Sequence, residues 1–182
     1  MDEEISIIDK QTRNEKIKSF LVNNKKKIVI SISILILIII GFYSNQIYQK
    51  GFKEQLSDKY NIAVIEYENG DKSKTTSLLI DVIEDSDSTY SPLALYFILD
   101  KNLIDDQNKV NDLFDLIITK TSLEKEIKYL IIYKKALYNA DNINENQLLE
   151  ILNPLINSQS VWKSHALYLL AEYFYSKNEK EK

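Results

Sequence analysis

The side chains with the widest chemical reach in this sequence are one histidine, a few adjacent carboxylates and twelve tyrosines. His165 is the only imidazole, three residues after Trp162. An imidazole can act as a general base or a metal ligand, but only with partners arranged around it. One His and no Cys exclude most zinc sites, a thiol nucleophile and a disulfide framework. At the edge of an apolar helix face, His165 reads as a packing residue. Asp105-Asp106 and Glu84-Asp85 could share acid–base work or bind Ca²⁺. Both pairs fall where helices are expected to begin or end, positions at which a carboxylate favours the N-terminal dipole or simply faces water. The DSDS run at residues 85–88 lacks the twelve-residue spacing of an EF-hand. Gly41, Gly51 and Gly70 are the only glycines, so there is no P-loop and no dinucleotide fingerprint. The expectation is a protein with no catalytic residues, no cofactor, no metal and no small-molecule substrate.

The tyrosines allow two readings. They can fill a small helical core with their hydroxyls reaching water, or line a concave aromatic surface that holds a segment of a protein partner. Tyr138 and Tyr175 fit the first as well as the second. The candidate partner groove comprises Tyr96, Tyr129, Tyr133, Trp162, Tyr168 and Tyr173. Nucleic acid is not an expected partner, because residues 44–182 carry 16 Lys against 22 acidic side chains and would repel phosphates.

These residues must be positioned by helices. Three glycines and two prolines in 182 residues suit long helices with short polar turns. Residues 28–43 read IVISISILILIIIGFY without a charge, and the uncharged run continues to Ile47. About 20 helical residues cross a bilayer core. The expected membrane helix is therefore residues 28–47, with Ile28, Ile36 and Ile40 in the acyl region, Lys27 snorkelling at one end and Tyr43 in the opposite headgroup layer. A cleaved signal peptide would need a 27-residue n-region and an A-x-A site, and the first Ala is Ala63. Arg13, Lys16, Lys18, Lys25, Lys26 and Lys27 precede the run, against Lys50 and Lys53 after it. That asymmetry predicts a cytoplasmic tail at residues 1–27 and a translocated domain at 48–182, which in a bacterium is periplasmic.

In the translocated part, residues 44–58 read as a helical stalk. Tyr60, Ala63, Val64 and Tyr67 recur at helical spacing, and the Asn69-Gly70-Asp71 turn can end one helix and cap the next. Leu78, Leu79, Val82 and Ile83 mark the second helix. Ser91 as N-cap with Pro92 at the first helical position marks the third, whose LALYFIL run should be central. Asp105 and Asp106 introduce a helix striped by Val110, Leu113, Phe114, Ile117 and Ile118. Thr121 and Glu124 suggest a capping box for the next. A short helix is expected from about Asn144 to Leu152, stopped by Pro154. Trp162, Ala166, Leu169, Leu170 and Tyr173 mark the last helix. First helices of successive pairs are expected near residues 53, 92, 122 and 160, each holding a small residue, Ala63, Ala94, Ala136 or Ala166, where a neighbour can approach. The spacing is close to the 34-residue period of tetratricopeptide repeats, although their W-x-x-L-G-x-x-Y pattern is nowhere intact. The expected fold is all-α: one N-terminal transmembrane helix followed by a degenerate tetratricopeptide-like α-solenoid of helical hairpins.

This layout resembles the YfgM family. The likeness rests on the KKK-flanked anchor and on two segments, YNIAVIEYENGDKSKTTSLLIDVIEDSDSTYSPLALYFIL and LNPLINSQSVWKSHALYLLAEYFYSKNE. It implies an ancillary subunit of the SecYEG translocon, linked to the periplasmic chaperone network and anchored in the inner membrane. Family members usually continue past the last helix with a packing partner, whereas this sequence stops at Glu179, Lys180, Glu181 and Lys182. Part of the face bearing Trp162, Leu169 and Tyr173 would then lie uncovered as a docking surface. The alternative function for the same layout is a tetratricopeptide-like scaffold coordinating envelope or cell-division machinery.

Overall fold

The computed structural model describes residue 13 and residues 15–177. The first twelve residues of the expected tail, and Glu179 to Lys182 at the other end, lie outside the described residues. Among those described, every regular element is a helix. Residues 15–23 are helical, followed by α1 (Lys25–Glu68), α2 (Lys72–Glu84), α3 (Tyr90–Asp100), α4 (Gln107–Lys120), α5 (Lys125–Asn139), α6 (Glu145–Ile156) and α7 (Lys163–Ser176). By contact the chain divides into two units, Met1–Phe52 and Lys53–Lys182.

In the first unit, the isoleucine run lies within α1 and is long and apolar enough to cross a membrane. None of its most apolar stretch is buried by protein, which is the opposite of a soluble core helix. α1 has no proline, and Gly41 and Gly51 sit in open space. The expected stalk is therefore helical, and no separate helix begins near residue 53.

In the second unit, helix ends follow local chemistry. α1 stops at a Schellman turn: the Gly70 N–H donates to the Tyr67 carbonyl and the Asp71 N–H to the Glu66 carbonyl, each at 3.0 Å. Gly70 takes φ +88° there, a conformation costly for a side chain with Cβ. Asp71 then caps α2 by accepting from the Lys74 N–H. The same C-terminal pattern closes α3, with Asn102 at φ +51° in place of glycine.

Three expected signals are used differently. α3 begins at Tyr90, not Pro92, and its N-terminal amides are held by Asp87, whose Oδ1 accepts from Thr89 and Tyr90 at 2.8 Å. Ser91 is no cap; it is buried, and its hydroxyl donates to the Val82 and Ile83 carbonyls of α2. Thr121 and Glu124 form no capping box: Thr121 closes α4, and Glu124 precedes α5 without a side-chain cap bond. α6 does not end at Leu152 but runs to Ile156 with Pro154 inside its last turn. A proline removes one amide and blocks one carbonyl, a cost that the last turn bears more easily than the middle. Asn144 supplies the expected start, with a full capping box to Gln147.

Two apolar cores result. Ala63 of α1 joins Leu79, Val82 and Ile83 of α2, Ala94, Leu95 and Ile98 of α3, Val110, Leu113, Phe114 and Ile117 of α4, and Ile131 of α5. Ile132 and Ala136 of α5 join Leu148, Leu152 and Leu155 of α6 and Ala166, Leu169, Leu170 and Tyr173 of α7. Adjacent residues Ile131 and Ile132 thus face different cores, about 100° apart on one helix. From α2 onwards helices pack on their chain neighbours, and α2 also touches α4 and α5 touches α7. Ala63, Ala94, Ala136 and Ala166 are all fully buried. Leu169 and Tyr173 are covered, so the exposed apolar side of α7 is instead the one bearing Leu167, Tyr168 and Tyr175.

Candidate functional site

A groove of about 450 Å³ runs across α4, α5 and α6. Helical spacing builds it. Asn111, Asp115 and Ile118 share one face of α4; Ile132, Lys135 and Asn139 share one face of α5; Gln147, Glu150, Ile151 and Pro154 share one face of α6. Ile143, in the α5–α6 connection, completes the lining.

An amide network ties α4 to α5 at one end. Asn139 is 2% exposed. Its Oδ1 accepts from Gln107 Nε2 and Asn111 Nδ2, both at 2.9 Å. Its Nδ2 donates to Asn111 Oδ1 and to the Lys135 carbonyl, both at 2.8 Å. All four hydrogen-bonding positions of this amide are filled, as burial demands. One step along, Lys135 Nζ contacts both oxygens of Asp115 at 2.7 and 2.8 Å. Across the groove, Glu150 has no cationic partner among the described residues. The Glu150 carbonyl gets no amide hydrogen from the i+4 position, because that residue is Pro154. The groove therefore combines apolar side chains with acceptors and a carboxylate on its α6 wall. It can hold an apolar segment and compensate a cation. Among the described residues no three His, Asp or Glu side chains come together to hold a metal ion.

The aromatic residues singled out in the sequence are placed elsewhere. Tyr133 stacks on Trp162 at 5.8 Å between centroids, and His165 packs against both rings. Tyr129, with Lys125 Nζ over its ring, belongs to the same core, as does Tyr173. The Tyr173 hydroxyl donates to the Ile143 carbonyl at 3.0 Å, so it braces the connection that lines the groove. Tyr96 packs into the other core, with Lys134 Nζ 4.7 Å from its ring centroid. Burial pushes its hydroxyl up to about 12, and that oxygen has no protein partner. Tyr168 is 65% exposed on the outer side of α7, where its hydrogen bond to Glu172 raises its pKa. Tyr129, Tyr133, Trp162 and Tyr173 are thus brought together, Tyr96 and Tyr168 stand apart, and none of the six lines the groove. Lys27, Ile28, Ile36, Ile40 and Tyr43 all lie on α1.

Most groove residues escaped the sequence reading because the apolar stripe of α4, which includes only Ile118 of them, drew attention to the adjoining face. The available signal was an Asn, Asp, Ile series at i, i+4, i+7 beside that stripe. Polar residues at this spacing are ordinary on a solvated helix, and only packing of α5 and α6 gives them a shared surface. Comparison with known proteins returns no match: no family model, no curated protein and no solved structure is similar to this chain.

Proposed function

We propose that this chain is a membrane-tethered adaptor that acts by binding protein partners, not by turnover. The observation that carries this reading is α1, an isoleucine-rich helix with no protein covering its most apolar stretch, leading in sequence into a helical domain with an open, mixed-character groove. In this reading residues 28–47 span a bacterial inner membrane with the N-terminus cytoplasmic and residues 48–182 periplasmic. The excess of Arg and Lys before the span supports that orientation. The domain is read as a degenerate tetratricopeptide-like solenoid. Packing between chain neighbours, the four buried alanines and helix starts at Tyr90, Lys125 and Lys163, 35 and 38 residues apart, support it. Kinship with the YfgM family, and hence an ancillary role at the SecYEG translocon and its periplasmic chaperones, is part of the proposal. Tethering would raise the effective concentration of the groove towards partners emerging at the membrane.

The test is photo-crosslinking in intact membranes from probes at Asp115 and Gln147 on the groove, with a probe at Tyr168 on the outer side of α7 for comparison. Groove-specific adducts to translocon subunits or periplasmic folding factors are the expected result. Adducts to cell-wall or division proteins would replace this reading with the envelope scaffold. Identical adducts from all three positions, or none, would refute groove-mediated binding.

A further inference from the structure

The helix over residues 15–23 precedes α1 and carries an exposed apolar face. Ile17, Phe20 and Leu21 stand at i, i+3, i+4 and are 51%, 62% and 49% exposed. At about 100° per residue, Lys16 and Lys18 fall about 100° to either side of that face, and Glu15, Ser19 and Asn23 fall opposite. Val22, on the polar side, is the one residue that departs from the pattern. Between residues 13 and 27 there are six cations, Arg13, Lys16, Lys18, Lys25, Lys26 and Lys27, against one acid, Glu15. A turn at Asn24 ends this helix, and the Asn24 backbone N–H and Nδ2 both donate to the Phe20 carbonyl at 3.0 Å. That is a local joint between this helix and α1.

We infer that residues 15–23 form an interfacial helix docked on an anionic phospholipid surface, the leaflet on the N-terminal side of the bilayer that α1 crosses. Ile17, Phe20 and Leu21 enter the acyl boundary, while Lys16 and Lys18 on its flanks and Lys25, Lys26 and Lys27 beyond the joint meet lipid phosphates. The arrangement matches what such a surface selects: an apolar face bordered by cations, with the neutral and acidic residues turned to water. Charge complementarity chooses lipid over a protein groove, because cations border the apolar face on both sides and continue into the start of the span. The inference rests on α1 being a membrane span, and is independent of what the α4–α6 groove binds.

The chain has no cysteine, so single spin labels can be introduced cleanly into the full-length protein. Labels at Leu21→Cys, Ser19→Cys and Ile36→Cys would be compared by oxygen and nickel accessibility in vesicles of phosphatidylcholine alone and with about a third phosphatidylglycerol. In the anionic vesicles the Leu21→Cys label is expected to gain oxygen contact and lose nickel contact, while the Ser19→Cys label stays in water. Each surface cation near an anionic leaflet shifts docking about 5-fold, so K16Q/K18Q should lower the docked-to-free ratio about 30-fold. A water-exposed label at Ile36→Cys would overturn the span itself. An Ile36→Cys label in lipid, with Leu21→Cys in water in both vesicle types, would overturn the interfacial helix alone. Equal burial of Leu21→Cys in neutral and anionic vesicles, insensitive to K16Q/K18Q, would overturn anionic recognition.

Discussion

Removing the Asn139 amide should destabilise the second unit more than removing any exposed side chain of the groove. Asn139→Ala deletes four hydrogen bonds at 2.8–2.9 Å, each contributing about 1 kcal/mol net. Gln107 and Asn111 are only half-buried, so water can take over part of their lost bonding. The Lys135 carbonyl also keeps its backbone role within α5. The expected loss is about 3 kcal/mol. Asn111→Ala should cost less, about 1–2 kcal/mol, because Asn139 retains Gln107 and Lys135. Asn111 and Asn139 exchange two of the bonds, so the double variant should show a coupling of about 1–2 kcal/mol. The assay is urea unfolding of the full chain in detergent micelles, followed through Trp162, the only tryptophan. A shift of midpoint with unchanged slope would register the loss in the folded state. A cost below about 1 kcal/mol for Asn139→Ala, or no coupling to Asn111, would refute the view that this network joins α4 to α5.

Tyr96→Phe should leave the Lys134 cation over the ring and remove a hydroxyl that has no protein partner; a gain of about 1 kcal/mol is expected, and a loss of that size in the same unfolding assay would refute it. The Tyr96 hydroxyl has a folded-state pKa of about 12 against an ordinary 10.0, so its ionisation leaves stability unchanged below pH 10.0 and lowers it as pH rises towards 12. Tyr96→Phe should therefore flatten the alkaline fall in stability, which paired denaturation curves at pH 9 and pH 11 would check. Asp87→Ala should cost about 1–2 kcal/mol by freeing the Thr89 and Tyr90 amides at the start of α3. Ser91→Ala should cost about 1 kcal/mol by unpairing the Val82 carbonyl, while the Ile83 carbonyl keeps the Ser86 N–H, without lowering helix content by circular dichroism. Fraying of α3 in Ser91→Ala but not in Asp87→Ala would reverse these roles.

Several features were legible from residue order because their causes are local. An uncharged isoleucine run can only be a helix that needs covering everywhere, and α1 leaves its most apolar stretch bare of protein. Asn69-Gly70-Asp71 stops one helix and starts another through bonds that span at most six residues. Asp106 and Asn144 cap the helices that follow them for the same reason. Apolar spacing of 3 and 4 picked out the buried stripe of α4 and the buried positions of α7.

Tertiary structure decided what local chemistry left open. Ser91 could have been a cap, but α2 lies within reach, and the buried hydroxyl instead bonds the Val82 and Ile83 carbonyls. Tyr96 and Tyr133 look alike in sequence; one packs into the first core and the other stacks on Trp162. Neither helix α4 nor α6 has a groove of its own. Asn111, Lys135 and Glu150 share one only because α5 lies between those helices and presents Ile132, Lys135 and Asn139 towards it. Helical period reports which residues share a face, whereas the neighbour that a face meets depends on contacts between residues 20 to 40 positions apart, which no local pattern encodes.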